Sequence, residues 1–118
     1  NVVFLGVTFK ANTDDMRESS SLSIIPKLLK MGAKIKYYDP SGFKEDFSKY
    51  KNITFCDDIT KCCSKSDLII IHTEWDEFKS IDFKKLSKNK NLKIYDMRNL
   101  YSPNKMKKLG LNYFSIGR

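Results

Sequence analysis

Two bases and three acids are crowded with an Asn and two Thr into GVTFKANTDDMRES, residues 6–19, at the end of an apolar run. Lys10 supplies a compact point charge suited to phosphate, and Arg17 supplies a planar fork suited to bidentate recognition of an anion. A third cation, Arg98, stands in the later segment DMRN. If the fold gathers them, three such groups suit a diphosphate. The same spacing equally allows Arg17 and Arg98 to pair with Asp14, Asp15, Glu18 or Asp96 and simply pin two long loops.

Other chemistry-bearing residues are less suggestive. His72 is the only histidine and ends an apolar run, so acting as a general base would require a partner and a substrate beside it. Glu74 and Asp76 form a possible acid pair, but with Trp75 between them they read more simply as loop and helix-start residues. Cys56, Cys62 and Cys63 lack the spacing of a disulfide framework or a metal site, and none sits in the glycine-rich or His-paired setting of a nucleophile. They are expected to be reduced thiols of a cytoplasmic protein, with no catalytic residue and no metal in this segment. A dinucleotide cradle needs G-x-G-x-x-G. Here Gly6 is followed by Val, Thr, Phe and Lys, so Asp39, at the position of a ribose-binding acid, reads as a strand-end cap before Pro40.

The elements that must position these groups follow from hydrophobic patterning. VVFLGV, KIKYYDP, ITFC, DLIIIHT, LKIYDM and NYFSIG read as six strands alternating with helical stretches, the pattern of βαβ units. The expected fold is α/β, a Rossmann-like doubly wound parallel sheet of about six strands with helices on both faces. Leu68 to Ile71 is apolar without alternation, as befits a central strand buried on both sides. The first helix is predicted to start at one of Ser19, Ser20 or Ser21 and to end at Gly32, burying Leu22, Ile25, Leu28 and Leu29. Pro26 is interior if Ser20 is the N-cap and lies in the first turn if Ser23 is. Further helices are expected near 42–49, 57–65, 82–88 and 103–109. In a doubly wound order the first and fourth strands meet at the switch point, where ligands sit outside the carboxyl ends of the strands. The loops after Val7, Ile71 and Tyr95 then form one edge, and they carry the residues named above.

At 118 residues and 41% hydrophobic, the chain fits one domain with a real core, and no apolar run approaches the ~20 residues of a membrane span. NVVFLGV lacks a basic leader and a cleavage site, and reads as a strand. The net charge of +8 comes from lysines scattered in segments such as KCCSK, FKKLSKNK and NKMKK, which favours a generally basic surface over a nucleic-acid stripe. A basic nucleic-acid module and a receiver-like signalling domain are the alternatives from other classes. Against the second, Asp14 and Asp15 lie well beyond the end of the first strand.

The block GVTFKANTDDMRES, followed by a helix and YYDP and then by HTEWDEF and DMRN in order, resembles the C-terminal domain of the UDP-glucose/GDP-mannose dehydrogenase family over essentially the whole chain. The resemblance implies that residues 1–118 are a single UDP-sugar-binding domain of a longer, homodimeric enzyme that touches neither nucleic acid nor membrane. It further implies a separate NAD domain and a central helical region with a catalytic cysteine. Such an enzyme oxidises the sugar's 6-hydroxymethyl group to a carboxylate in two NAD-dependent steps, through a thiohemiacetal and a thioester. By matching position, Phe9 and Lys10 resemble contacts to the UDP-sugar and Arg98 a second substrate contact. Arg17 resembles the arginine that reaches across to NAD. HTEWDEF and DMRN lean toward UDP-glucose over UDP-N-acetylmannosamine or GDP-mannose.

Overall fold

The structure, a computed structural model, describes residues 1–86 and 89–117. Six strands, β1 (Val2–Leu5), β2 (Ile35–Tyr38), β3 (Ile53–Phe55), β4 (Leu68–Ile71), β5 (Lys93–Asp96) and β6 (Asn112–Ser115), form one sheet. Its order is β3-β2-β1-β4-β5-β6, and every neighbouring pair is parallel. This is the expected doubly wound arrangement, with the chain reversing direction across the sheet between β1 and β4.

Helices α1 (Ser21–Lys30), α2 (Ile59–Cys63), α3 (Phe83–Leu86) and α4 (Pro103–Lys108) cover the sheet. The two faces carry separate cores. On one, Phe4, Tyr37 and Ile70 meet Ile25 of α1 and Phe47. On the other, Val3, Leu5, Ile69, Ile71 and Ile94 meet the cysteines of α2, Phe78, Phe83 and Met106. The unbroken LIII of β4 is thereby explained, since Ile69 and Ile71 fill one core while Ile70 fills the other. Beyond β4 the first of these faces is thinly covered: Tyr95, beside Ile70, lies opposite Phe114 across β5 and β6, and both are exposed. Among the described residues no helix is long and apolar enough to cross a membrane.

The structure settles one open alternative and corrects three helix expectations in detail. Ser20 is the N-cap of α1, so Pro26 is interior to the helix. Leu22, expected in the buried stripe, is exposed, because Ser21 takes the inward position over β1 and its hydroxyl donates to the Val7 carbonyl at 2.6 Å. The predicted helix 42–49 contracts to a single 3-10 turn at Glu45–Phe47, while Lys44, buried just before it, donates its backbone N–H to the Tyr37 hydroxyl at 2.9 Å. The helix predicted over 57–65 is trimmed to α2 by Asp58, whose side chain accepts from Lys61 N. Residues 87 and 88 of the helix expected over 82–88 lie outside the described residues.

Candidate functional site

The loops after β1, β4 and β5 meet at the carboxyl edge of the sheet. The first begins with a close approach of two backbones. Gly6 has φ +81°, and a Cβ there would stand 2.6 Å from the Thr73 Cβ, so glycine is required both for conformation and for space. Thr73 in turn donates its hydroxyl to the Thr8 carbonyl at 2.9 Å, tying the β4 loop to the β1 loop.

That hydroxyl has one proton, so its 3.0 Å contact with His72 Nδ1 makes Nδ1 the donor and assigns Nε2 as the acceptor of the Ser20 hydroxyl at 2.8 Å. His72 is therefore a neutral relay in the sequence Ser20, His72, Thr73, Thr8. Burial, reinforced by the Arg98 charge and opposed by Asp39, lowers its pKa to about 4. Ser20 is consequently committed to His72 and makes no side-chain cap of α1.

Turns shape the rest of the first loop. Thr13 Oγ1 accepts from Asp15 N, Asp15 Oδ1 accepts from Arg17 N, and Phe9 N donates to the Asp15 carbonyl, closing the loop on itself. Asn12 and Glu18 adopt left-handed backbone conformations. Thr13 and Asp15 hold this shape through side-chain bonds and Asn12 through its backbone.

The β5 loop is organised by Asp96, which is fully buried. Its carboxylate accepts from the backbone N–H groups of Arg98, Leu100 and Tyr101 and from the Tyr113 hydroxyl. Asp96 thus fixes where Arg98 emerges without pairing to its guanidinium. The guanidinium instead bridges the other two loops, with Nε donating to the His72 carbonyl at 2.8 Å and Nη2 to the Phe9 carbonyl at 2.9 Å.

Arg98 reaches the backbone next to Lys10, and Arg17 and the charge of Lys10 both bear on Asp15. Arg98 touches the backbone of Phe9, beside Lys10, and both Phe9 and Lys10 are exposed. Arg17 grips Asp15 with Nε at 3.1 Å from Oδ1 and Nη2 at 3.0 Å from Oδ2. Hydrogen bonds from Arg17, helped by the charge of Lys10, hold the Asp15 carboxyl below its ordinary range. The structural alternative is therefore realised for Arg17, whose side chain is nevertheless 89% exposed. Arg98 has its own acid, Glu74, with Oε2 at 3.3 Å from Nε, a partner the sequence did not single out. Glu74 and Asp76 do not act as a pair, because Asp76 meets Lys79 at 3.2 Å on the surface.

Phe9, Lys10, Arg17 and Arg98 are exposed at this edge. Four clefts of about 310, 300, 330 and 360 Å³ lie elsewhere, and Phe9, Lys10, Arg17 and Arg98 line none of them. The first, bounded by Val2, Ile35, Asn52 and Lys65, is at the opposite, amino end of the strands. The first βα turn also does not suit a dinucleotide pyrophosphate. The N–H groups of Gly6, Val7 and Phe9 are committed to Tyr38 O, Asp39 Oδ2 and Asp15 O, and the Ser19 and Ser21 hydroxyls occupy the Val7 carbonyl. Asp39 is a strand-end cap, accepting from Val7 N and from both the N–H and hydroxyl of Ser41. Burial pushes the Cys63 thiol up to about 12 and raises that of Cys62 as well, so neither is a ready nucleophile.

The family model described as "UDP-glucose/GDP-mannose dehydrogenase family, UDP binding domain" matches residues 3–103. UDP-glucose 6-dehydrogenases of Rickettsia bellii and Rhizobium meliloti are 38% and 36% identical over 99% of this chain. The chain spans only 28% and 27% of their lengths. Among solved structures, the NDP-N-acetyl-D-galactosaminuronic acid dehydrogenase of Methanosarcina mazei superposes with TM-score 0.83 at 26% identity, over 99% of this chain and 24% of that one. The UDP-D-ManNAc dehydrogenase of Pyrococcus horikoshii gives 0.74 at 27% identity, over 99% and 25%.

Proposed function

This chain belongs to the UDP-glucose/GDP-mannose dehydrogenase family as its UDP binding domain, and we propose that it holds the nucleotide sugar of an NAD-dependent UDP-glucose 6-dehydrogenase. The observation that carries the proposal is the Arg98 guanidinium bonded to His72 O and Phe9 O, which draws three loops into one cationic rim. Two of its five N–H groups are used in those bonds, leaving three for a ligand oxyanion.

In this proposal Arg98 and Lys10 take the diphosphate and Phe9 offers its ring to the nucleotide sugar. The chemistry belongs to a longer polypeptide, of which the domain is one part. There the bound NAD would accept hydride, while a cysteine outside residues 1–118 would carry the acyl group. Arg17, with 89% of its side chain exposed, is assigned to that cofactor's side of the cleft. UDP-glucose is favoured over UDP-N-acetylmannosamine and GDP-mannose because the curated relatives named above are UDP-glucose 6-dehydrogenases.

Thermal unfolding with and without millimolar UDP tests the proposal. UDP is expected to raise the melting temperature of the chain, and Arg98→Ala to weaken UDP binding by roughly tenfold or more. Melting indifferent to UDP, together with a natural full-length polypeptide that turns over no UDP-sugar, would remove the proposal.

A further inference from the structure

We propose that Glu74 is a positioning residue that holds the Arg98 guanidinium in its bridging pose, so that its unused N–H groups point outward to an oxyanion. The inference rests on the nucleotide-sugar function proposed above and adds to it the residue that sets Arg98 in place. Arg98 is less free than its position in a surface loop suggests. Its backbone is fixed by Asp96, and Nε and Nη2 are bonded to carbonyls on two other loops. Both of those acceptors are neutral, and the side chain is only 34% exposed. A partly desolvated guanidinium needs a counter-charge to remain there. The Glu74 carboxylate provides one at 3.3 Å from Nε.

The contact is a charge pair without a hydrogen bond, since the Nε–H is aimed at His72 O. Glu74 Oε2 is buried and accepts from nothing, one of two such side-chain atoms among the described residues. The other, Trp75 Nε1, is in the very next residue. A carboxylate oxygen held out of water without a donor is destabilising on its own. What offsets that cost here is the nearby guanidinium, and the benefit to the molecule is a fixed Arg98.

The sign of the effect separates positioning from simple charge. Removing a negative charge beside an anion site should tighten anion binding by Coulomb's law alone. Loss of positioning should weaken it, because Arg98 would then have to be ordered at the moment of binding. Glu74→Gln keeps the side-chain shape and removes the charge. Two measurements on this chain test the proposal: the Arg98 Nε–H resonance by NMR without ligand, and UDP affinity by calorimetry in a cycle with Arg98→Ala. In Glu74→Gln the Nε–H signal should shift and exchange faster with water. UDP affinity should fall about fivefold in the presence of Arg98, and the substitution should have no further effect in the Arg98→Ala background. An unmoved Nε–H signal, tighter UDP binding, or an equal loss with and without Arg98 would overturn the positioning role. A wild-type chain that ignores UDP, while the Nε–H signal still responds to Glu74→Gln, would overturn the nucleotide-sugar function and leave the Glu74–Arg98 coupling standing.

Discussion

At the scale of single residues, the edge of the sheet is held by side chains whose roles depend on partners far away in sequence. His72 is the clearest case. It is buried with one ring nitrogen donating to Thr73 and the other accepting from Ser20, and a second proton on the ring would put a donor against the Ser20 hydroxyl proton. Its folded pKa, about 4, lies below the ordinary 6.5, so between those values the unfolded chain binds more protons than the folded one. The stability His72 contributes is therefore complete above pH 6.5, is lost as pH falls toward 4, and amounts to roughly 3 kcal/mol at most. Urea unfolding from pH 7.5 to 4 should show that loss in the wild type and a flatter profile in His72→Gln. Identical profiles would mean that the ring is not kept neutral by its setting. The sequence showed His72 as a lone histidine at a strand end. It did not show the relay, because Ser20 lies 52 residues away and only the meeting of β1 and β4 brings the two together.

At the scale of elements, the strands were legible because their signal is local. An apolar run such as Leu68 to Ile71 can satisfy two cores only as a central strand, and the structure places it between β1 and β5. The helices were less legible, since their ends depend on tertiary bonds. Ser20 carries no side-chain cap bond because His72 claims its hydroxyl, and Ser21 turns inward to the Val7 carbonyl. Those two contacts fix where α1 begins, and with it the interior position of Pro26. The helix accepts the proline without a partner for the carbonyl four residues earlier, at Leu22, which is exposed and so can use water instead. Pro26→Ala should therefore restore an intrahelical bond and raise stability by about 1–3 kcal/mol, read as a higher midpoint in thermal unfolding. An unchanged or lower midpoint would show that the ring's own packing or its restriction of the unfolded chain matters more. The Glu74–Arg98 pair was hidden for the same tertiary reason: proximity in sequence favoured Asp96, yet that carboxylate was taken up by three backbone N–H groups of its own loop and a tyrosine hydroxyl.

At the scale of the whole molecule, the two arginines of the rim differ in how tightly the domain holds them, and that difference makes their proposed tasks separately testable. Arg98 is bonded to the backbones of two other loops and paired with Glu74, with 34% of its side chain exposed. Arg17 holds only Asp15, two residues away, with 89% of its side chain exposed. Exposed pairs of this kind contribute about 0–1 kcal/mol, so little opposes the release of Arg17 to another partner. The relatives this chain matches are more than three times its length, and a cleft between this domain and the rest of such a polypeptide would bring a second surface up to the Arg17 side. If Arg17 serves the cofactor across that cleft, Arg17→Ala should leave UDP affinity of this chain within about twofold while raising the KM for NAD of the natural polypeptide roughly tenfold. Lys10→Ala should do the reverse, weakening UDP and sparing NAD. Calorimetry on the chain and initial rates on the full polypeptide read the two effects separately. Weaker UDP binding in Arg17→Ala with an unchanged KM for NAD would move Arg17 to the nucleotide-sugar side, and the rim would then present all three cations to a single ligand.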